Sequence, residues 1–203
     1  MRISAIRQTA PDRLKVCFED GTEIKTSLAA VTDLRLCSGR ELSEEELEEL
    51  RLCSLRSLAR EKALEYLSQR QMSRRELKTK LLQKGMDEDT AEYCIHWLSD
   101  RQLIDEESYA AAVVRHYSAK GYGAGRVRRE LQRRGIDREL LDEAMEQMPE
   151  DTGKLDSFIA ARLTDPEDRD QVRKISAALF RRGYSWEEIR SALRRFQAED
   201  GDW

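Results

Sequence analysis

Val127–Met148 reads VRRELQRRGIDRELLDEAMEQM, and the glycine inside it decides the fold. Eight and four residues before Gly135 stand Val127 and Leu131; one, six, ten and thirteen residues after it stand Ile136, Leu141, Met145 and Met148. The first two form one stripe of a helix. Gly135 stops that helix, because glycine enters the left-handed conformation of a helix end without steric cost. Asp137 then stands at the N-cap position of a second helix, whose apolar stripe is Leu141, Met145 and Met148.

The pattern recurs twice. LKTKLLQKGMDEDTAEYCIHWL (Leu77–Leu98) is built around Gly85, and ISAALFRRGYSWEEIRSALRRF (Ile175–Phe196) around Gly183, 50 residues before and 48 after Gly135. Leu77, Leu81, Met86, Ala91, Ile95 and Leu98 hold the same offsets in the first, with Asp87 as N-cap. Ile175, Leu179, Tyr184, Ile189, Leu193 and Phe196 hold them in the third, with Ser185 as N-cap. A further helix precedes each pair, in AREKALEYLSQR (Ala59–Arg70), DEESYAAAVVRHYS (Asp105–Ser118) and KLDSFIAARL (Lys154–Leu163). Internal repeats of this length read as stacked units that bury their faces on their neighbours.

Upstream the period changes. ISAIRQ (Ile3–Gln8), RLKVCF (Arg13–Phe18) and the run after Asp20-Gly21 read as short strands. Asp-Gly between two such runs predicts a hairpin whose two central residues both tolerate positive φ. Ser43 and Glu46 in LSEEELEEL form a capping box, and the acid run Glu44–Glu49 reads as favourable charge at a helix start plus a solvated face. The expected fold is therefore mainly α: tandem three-helix repeats in an elongated curved array, with a small N-terminal β-hairpin region. The expected domains are residues 1–60 (β-hairpin region and connecting helix), 61–103, 104–150 and 151–203, the last three being one repeat each.

Bulk composition limits the function. Charged residues make up 37% of the 203 and aromatics 6%, a helix-rich and soluble composition. Cys17, Cys37, Cys53 and Cys94 lack zinc-pair spacing and read as reduced thiols. The N-terminus has no apolar signal core, and the longest apolar run, YAAAVV, is too short to cross a bilayer, so a soluble cytoplasmic protein with no membrane association is expected. No nucleophile–base pair, metal cluster or nucleotide cradle is assembled, so a non-enzyme without cofactor or metal is expected.

Charge is distributed along the repeats. The chain is acidic overall, with 36 Lys+Arg against 40 Asp+Glu, yet Arg115–Arg138 holds eight bases and two acids, and Gln171–Arg195 seven and two. Arg74–Lys84 holds five bases and one acid. The candidate nucleic-acid or filament-binding residues are Arg74, Arg75, Lys84, Arg126, Arg128, Arg129, Arg133, Arg134, Arg181 and Arg182. Lys84, Arg134 and Arg182 also suit the last turn of a helix, where a cation offsets the dipole. Arg126, Arg129 and Arg133 share the face opposite Val127 and Leu131, so reversing their charge is expected to leave the core intact. KGYGAG (Lys120–Gly125) lacks the ending of a P-loop and reads as a flexible connection, with the N–H groups of the next helix start as a secondary phosphate contact. Tyr93, Cys94, His96 and Trp97 read as packing or surface residues, and Trp186 as a packing residue.

These motifs occur in the order and spacing of a known family. ALEYLSQRQMSRRELKTKLLQKGMDED (Ala63–Asp89), LSDRQLIDEESYAAAVVRHYS (Leu98–Ser118), GRVRRELQRRGID (Gly125–Asp137) and LFRRGYSWEEIRSAL (Leu179–Leu193) resemble the RecX regulatory family, bacterial modulators of the RecA recombinase. RLKVCFEDGTEIKTS followed by LSEEELEEL is similar to the β-containing region of longer members. GYGAG is looser than the basic-Gly-Pro-like loop usual there. The resemblance implies a non-enzymatic regulator, mainly an inhibitor, that binds the filament of RecA on single-stranded DNA and limits its assembly, strand exchange and ATPase. It implies the RecA filament and single-stranded DNA as partners; a monomer is the default expectation. The alternative reading is a stand-alone helical nucleic-acid-binding module without a filament partner.

Overall fold

The computed structural model describes residues 1–150 and 153–199. Residues 151–152, at the start of the third repeat's expected span, and the acidic tail at 200–203 lie outside them. Two compact units divide the chain, Met1–Ile104 and Asp105–Trp203.

The first unit opens with an antiparallel sheet of three strands, β1 (Ile3–Ala10), β2 (Arg13–Phe18) and β3 (Glu23–Ser27), in the order β1-β2-β3. The expected hairpin at Asp20-Gly21 is present, but its turn differs from the two-residue type. Gly21 N–H donates to Phe18 O at 3.1 Å and Phe18 N–H to Thr22 O at 2.9 Å, and only Gly21 has positive φ. This is a three-residue loop whose glycine forms the bulge. Asp20 keeps ordinary φ because its carboxylate accepts from the Thr22 N–H at 2.9 Å and the Thr22 hydroxyl at 3.0 Å. The sheet buries Ile3, Val16 and Phe18 on Leu36, Leu42, Leu47 and Leu50.

A short helix α1 (Leu28–Asp33) leads to α2 (Glu44–Gln69), a 26-residue helix. The Ser43/Glu46 capping box starts α2, with bonds of 3.1 and 2.9 Å. α2 runs through the boundary expected between residues 60 and 61. The first three-helix unit therefore shares its first helix with the N-terminal region: the Leu47/Leu50 end covers the sheet, and Ala59, Ala63 and Tyr66 enter the core of the repeat. α3 (Arg74–Gln83) and α4 (Glu88–Asp100) complete that repeat.

The second unit holds α5 (Glu106–Ala119), α6 (Ala124–Arg134), α7 (Arg138–Glu146), α8 (Lys154–Ala160), α9 (Arg169–Arg182) and α10 (Trp186–Glu199). The described residues thus contain ten helices, nine of them in three three-helix repeats. Gly85, Gly135 and Gly183 each end a helix with φ of 83°, 76° and 96°. Leu77, Leu81, Val127, Leu131, Ile175 and Leu179 are all buried, as the repeat requires.

Two details of the repeat differ. Asp137 occupies the N-cap position of α7, but its side chain makes no cap hydrogen bond. Met148 lies beyond the end of α7 at Glu146, so it meets the core from a turn. The four cysteines carry free thiols, and burial pushes that of Cys94 up to about 11.

Candidate nucleic-acid interface

The centre of the second unit is where the start of α6 meets the end of α9. Gly123 N–H donates to Arg182 O at 3.0 Å and Gly125 N–H to Gly183 O at 2.9 Å. α6 has no side-chain cap. The N–H groups of Gly123 and Gly125 are satisfied by the last carbonyls of α9, which need donors in turn, and the positive end of one helix dipole faces the negative end of the other. The approach is close enough to demand glycine: a Cβ on Gly123 would lie 2.6 Å from Gly183 O, and one on Gly183 would lie 2.2 Å from the Arg126 nitrogen.

This corrects the reading of Lys120–Gly125 as a flexible connection with N–H groups turned to phosphate. The loop is pinned, because Arg182 and the Tyr184 hydroxyl also donate to Gly121 O, each at 3.3 Å. Gly123 and Gly125 spend their N–H groups on protein carbonyls.

The arginines of α6 then sort by partner. Glu130 is buried at 5% exposure, on the flank of the Val127/Leu131 stripe beside Val127. It accepts from Arg133 at 3.0 and 2.7 Å and from Arg134 at 2.8 Å. The Arg133 guanidinium above all, then the Tyr117 hydroxyl and Arg134, hold its carboxyl down at about 2 against the opposing effect of burial. Arg134 also reaches the Tyr109 hydroxyl, with only 18% of its side chain exposed. It is a core strut, not a surface cation. Arg128 pairs with Asp142 on α7 at 2.6 Å, both about half exposed. Arg129 donates to Gly125 O at 3.0 Å, and its side chain, like that of Arg126, has no ion-pair partner among the described residues. Arg126, Arg129 and Arg133 share an exposed face as expected. Reversing Arg133, however, would set a carboxylate beside buried Glu130, so the triple reversal is not neutral for the core.

Arg182 covers the rings of Phe158 and Tyr122, 4.7 and 5.5 Å from their centroids, and Arg126 lies 6.0 Å from the same Tyr122 ring. The seam thus joins two repeats' candidates, Arg126 and Arg182, around one tyrosine. Arg181, beside Arg182, is exposed.

The first unit carries Arg74, Arg75 and Lys84, all exposed. Arg74 and Arg75 open α3 and Lys84 follows its end, about 15 Å apart along the axis, so they form no single cluster. Between them Lys78 is held by Glu88 and Glu92 of α4, and Lys80 lies 4.7 Å from the Tyr66 ring. Among the aromatic residues of α4, Trp97 lies 5.0 and 4.2 Å from the guanidinium groups of Arg60 and Arg101, and Tyr93 meets Arg56 at 4.2 Å; both are packing roles. No group of three or more His, Cys, Asp or Glu residues suited to a metal ion occurs among the described residues. No described helix is long and apolar enough to cross a membrane.

Comparison with known proteins follows this geometry repeat by repeat. The family model for the first three-helix domain of RecX matches residues 59–98, that for the second 105–145, and that for the third 160–193. A regulatory protein RecX from Xanthomonas axonopodis pv. citri is 37% identical over 143 residues, covering 69% of this chain and 88% of that protein. The chain belongs to the RecX family. A RecX from Bacillus licheniformis is 27% identical over 207 residues, covering 99% of this chain and 78% of its own length, so that match includes the β-containing region. A crystal structure of a regulatory protein RecX shares the fold with a TM-score of 0.77 at 23% identity, over 96% of this chain and 98% of that one. RecX from Lactobacillus salivarius, with a TM-score of 0.62, covers 71% of this chain. The three RecX domains begin within α2, at the start of α5 and at the end of α8, in step with the glycine-centred repeats.

Proposed function

We propose that this protein is a non-enzymatic regulator of the RecA recombinase. It binds the filament of RecA on single-stranded DNA and limits filament assembly, strand exchange and the coupled ATPase, acting as a monomer without cofactor. The observation that carries the reading is the α6–α9 seam. Backbone hydrogen bonds of 3.0 and 2.9 Å lock two repeats together. The lock fixes the exposed Arg126 and Arg129 of one repeat and Arg181 of the next on a common frame in an otherwise acidic chain. Guanidinium groups on a rigid frame suit a phosphate backbone, since their orientation is set before binding. Family membership supports the regulatory role.

The test is the RecA ATPase on single-stranded DNA, with this protein at substoichiometric amounts. Inhibition is the expected result. Salt-sensitive binding to bare single-stranded DNA with no effect on RecA would favour the stand-alone nucleic-acid module instead.

A further inference from the structure

We infer that the stacked rings of Phe180 and Trp186 form a docking platform for an unpaired nucleobase, a contact separate in kind from the phosphate-binding arginines. The inference rests on the nucleic-acid reading above and adds base stacking to it. The two rings lie 5.0 Å apart at 19°, with Phe180 49% and Trp186 54% exposed. The packing role expected of Trp186 is met only in part: its ring stacks on Phe180, and about half of the residue stays in water.

The repeat does not require this pair. Phe180 stands three residues before Gly183 and Trp186 three after it; the corresponding positions are Leu82 and Glu88 around Gly85, and Gln132 and Arg138 around Gly135. The same helix–glycine–helix turn thus closes without two aromatics. The third repeat's core is also complete without them, in Leu155, Ile159, Ile175, Leu179, Tyr184, Ile189 and Ala192. Large apolar rings left in water, side by side, point to an occupant.

The frame is rigid. Gly183 N–H donates to Phe180 O at 2.9 Å. The Ser185 and Glu188 backbone and side-chain groups bond reciprocally at 2.6 and 3.2 Å, which fixes the first turn of α10. Arg173 lies two turns back from Phe180 on the same side of α9, and Arg190 one turn on from Trp186 in α10, both exposed. Glu188 is occupied by its cap, Arg173 shares its charge with Asp170 at 3.2 Å, Glu187 stands exposed beside Trp186, and Arg190 has no ion-pair partner among the described residues. A flat aromatic face with the guanidinium of Arg190 one turn away suits a base whose phosphate lies on that side. An apolar protein pocket would find charge at its rim on both helices.

The experiment uses the full chain and two fluorescein-labelled probes of equal length and charge, oligo-dT and the same backbone with abasic sites, followed by anisotropy. The wild type is expected to bind oligo-dT more tightly. Trp186→Ala should weaken oligo-dT binding by roughly 5- to 150-fold and leave the abasic probe unchanged, and Trp186→Phe should recover part of the loss. Arg126→Glu with Arg129→Glu should weaken both probes in parallel. Equal affinity of the wild type for both probes, or an unaffected Trp186→Ala, overturns the platform while leaving the phosphate contacts standing. Unchanged oligo-dT binding with lost inhibition of RecA assigns the rings to a protein pocket and also overturns it. Binding of neither probe at low salt overturns the nucleic-acid reading itself and this inference with it.

Discussion

Glu130→Gln separates the structural from the binding role of the α6 arginines. The substitution keeps shape and one acceptor but removes the charge that Arg133 and Arg134 share. Holding a carboxyl at about 2 in place of its ordinary 4.5 corresponds to about 3 kcal/mol of stability at neutral pH. Arg133, with 69% of its side chain exposed, is screened by water, which trims the figure to about 2 kcal/mol. For a chain of this size the melting temperature should fall by roughly 4–8 °C. The pH dependence has a definite sign. The folded pKa is depressed, so the contribution is complete above about pH 4.5 and is lost as pH falls from there toward 2. Urea unfolding followed by far-ultraviolet circular dichroism, at pH 7 and about pH 3, should show wild type and variant well separated at the first and converging at the second. Affinity for single-stranded DNA should not fall, because a negative charge is removed and Arg133 is released. An equal stability gap at both pH values, or none at pH 7, would refute the pairing as drawn.

The three equivalent glycines should not tolerate alanine equally. Gly85→Ala meets nothing within 4 Å and bears only the left-handed strain of φ 83°, about 1–2 kcal/mol. Gly183→Ala adds a 2.2 Å collision with the Arg126 backbone, so its urea midpoint should drop much further, and Gly123→Ala should share that behaviour without any φ strain. Arg126→Glu, Arg129→Glu and Arg181→Glu together should keep helical content and melting temperature, since none is in an ion pair among the described residues. The triple variant should lose most of its inhibition of RecA. It should also flatten the salt dependence of single-stranded DNA binding by roughly 0.7 for each phosphate that is no longer neutralised. A thiol reagent should label exposed Cys37 quickly and buried Cys94 only on unfolding; rapid modification of Cys94 in the folded protein would contradict its placement.

Much of this fold could be read from spacing. The glycine offsets predict both helix ends and core stripes, because a left-handed stop and a buried stripe are local demands of the backbone and of the apolar period. What escaped were contacts between distant residues. Nothing local marks Gly123 as the partner of Gly183, 60 residues away; by its neighbours it is an ordinary loop glycine, and only the meeting of two helix ends gives it a cause. Glu130 was visible as the lone acid among five arginines. Its position three residues after Val127, on the flank of the Val127/Leu131 stripe, was the available signal that it points inward. Asp20-Gly21 predicted a hairpin correctly and its turn type incorrectly, since the Thr22 bonds that let Asp20 keep ordinary φ depend on a neighbour.

Arginine count overstates the available cations, because several of the arginines are held by acids or by the core. Of the five arginines of α6, Arg134 is committed to the core, and Arg128 and Arg133 are each held by an acid. An arginine held by a neighbour is oriented, however, so part of its rotamer freedom is lost on folding and not on binding. The seam does the same for the backbone, and Arg126 and Arg129, which have no ion-pair partner among the described residues, start from a fixed helix. At a net charge of −4 the chain as a whole is not drawn to a polyanion from a distance. At physiological salt the Debye length is about 8 Å, so a phosphate close to α6 responds mainly to the local arginines. Under the proposed function, attraction that acts only at close range would give weak, salt-sensitive capture of bare single-stranded DNA. It leaves room for a second surface, the recombinase itself, to decide where the protein binds.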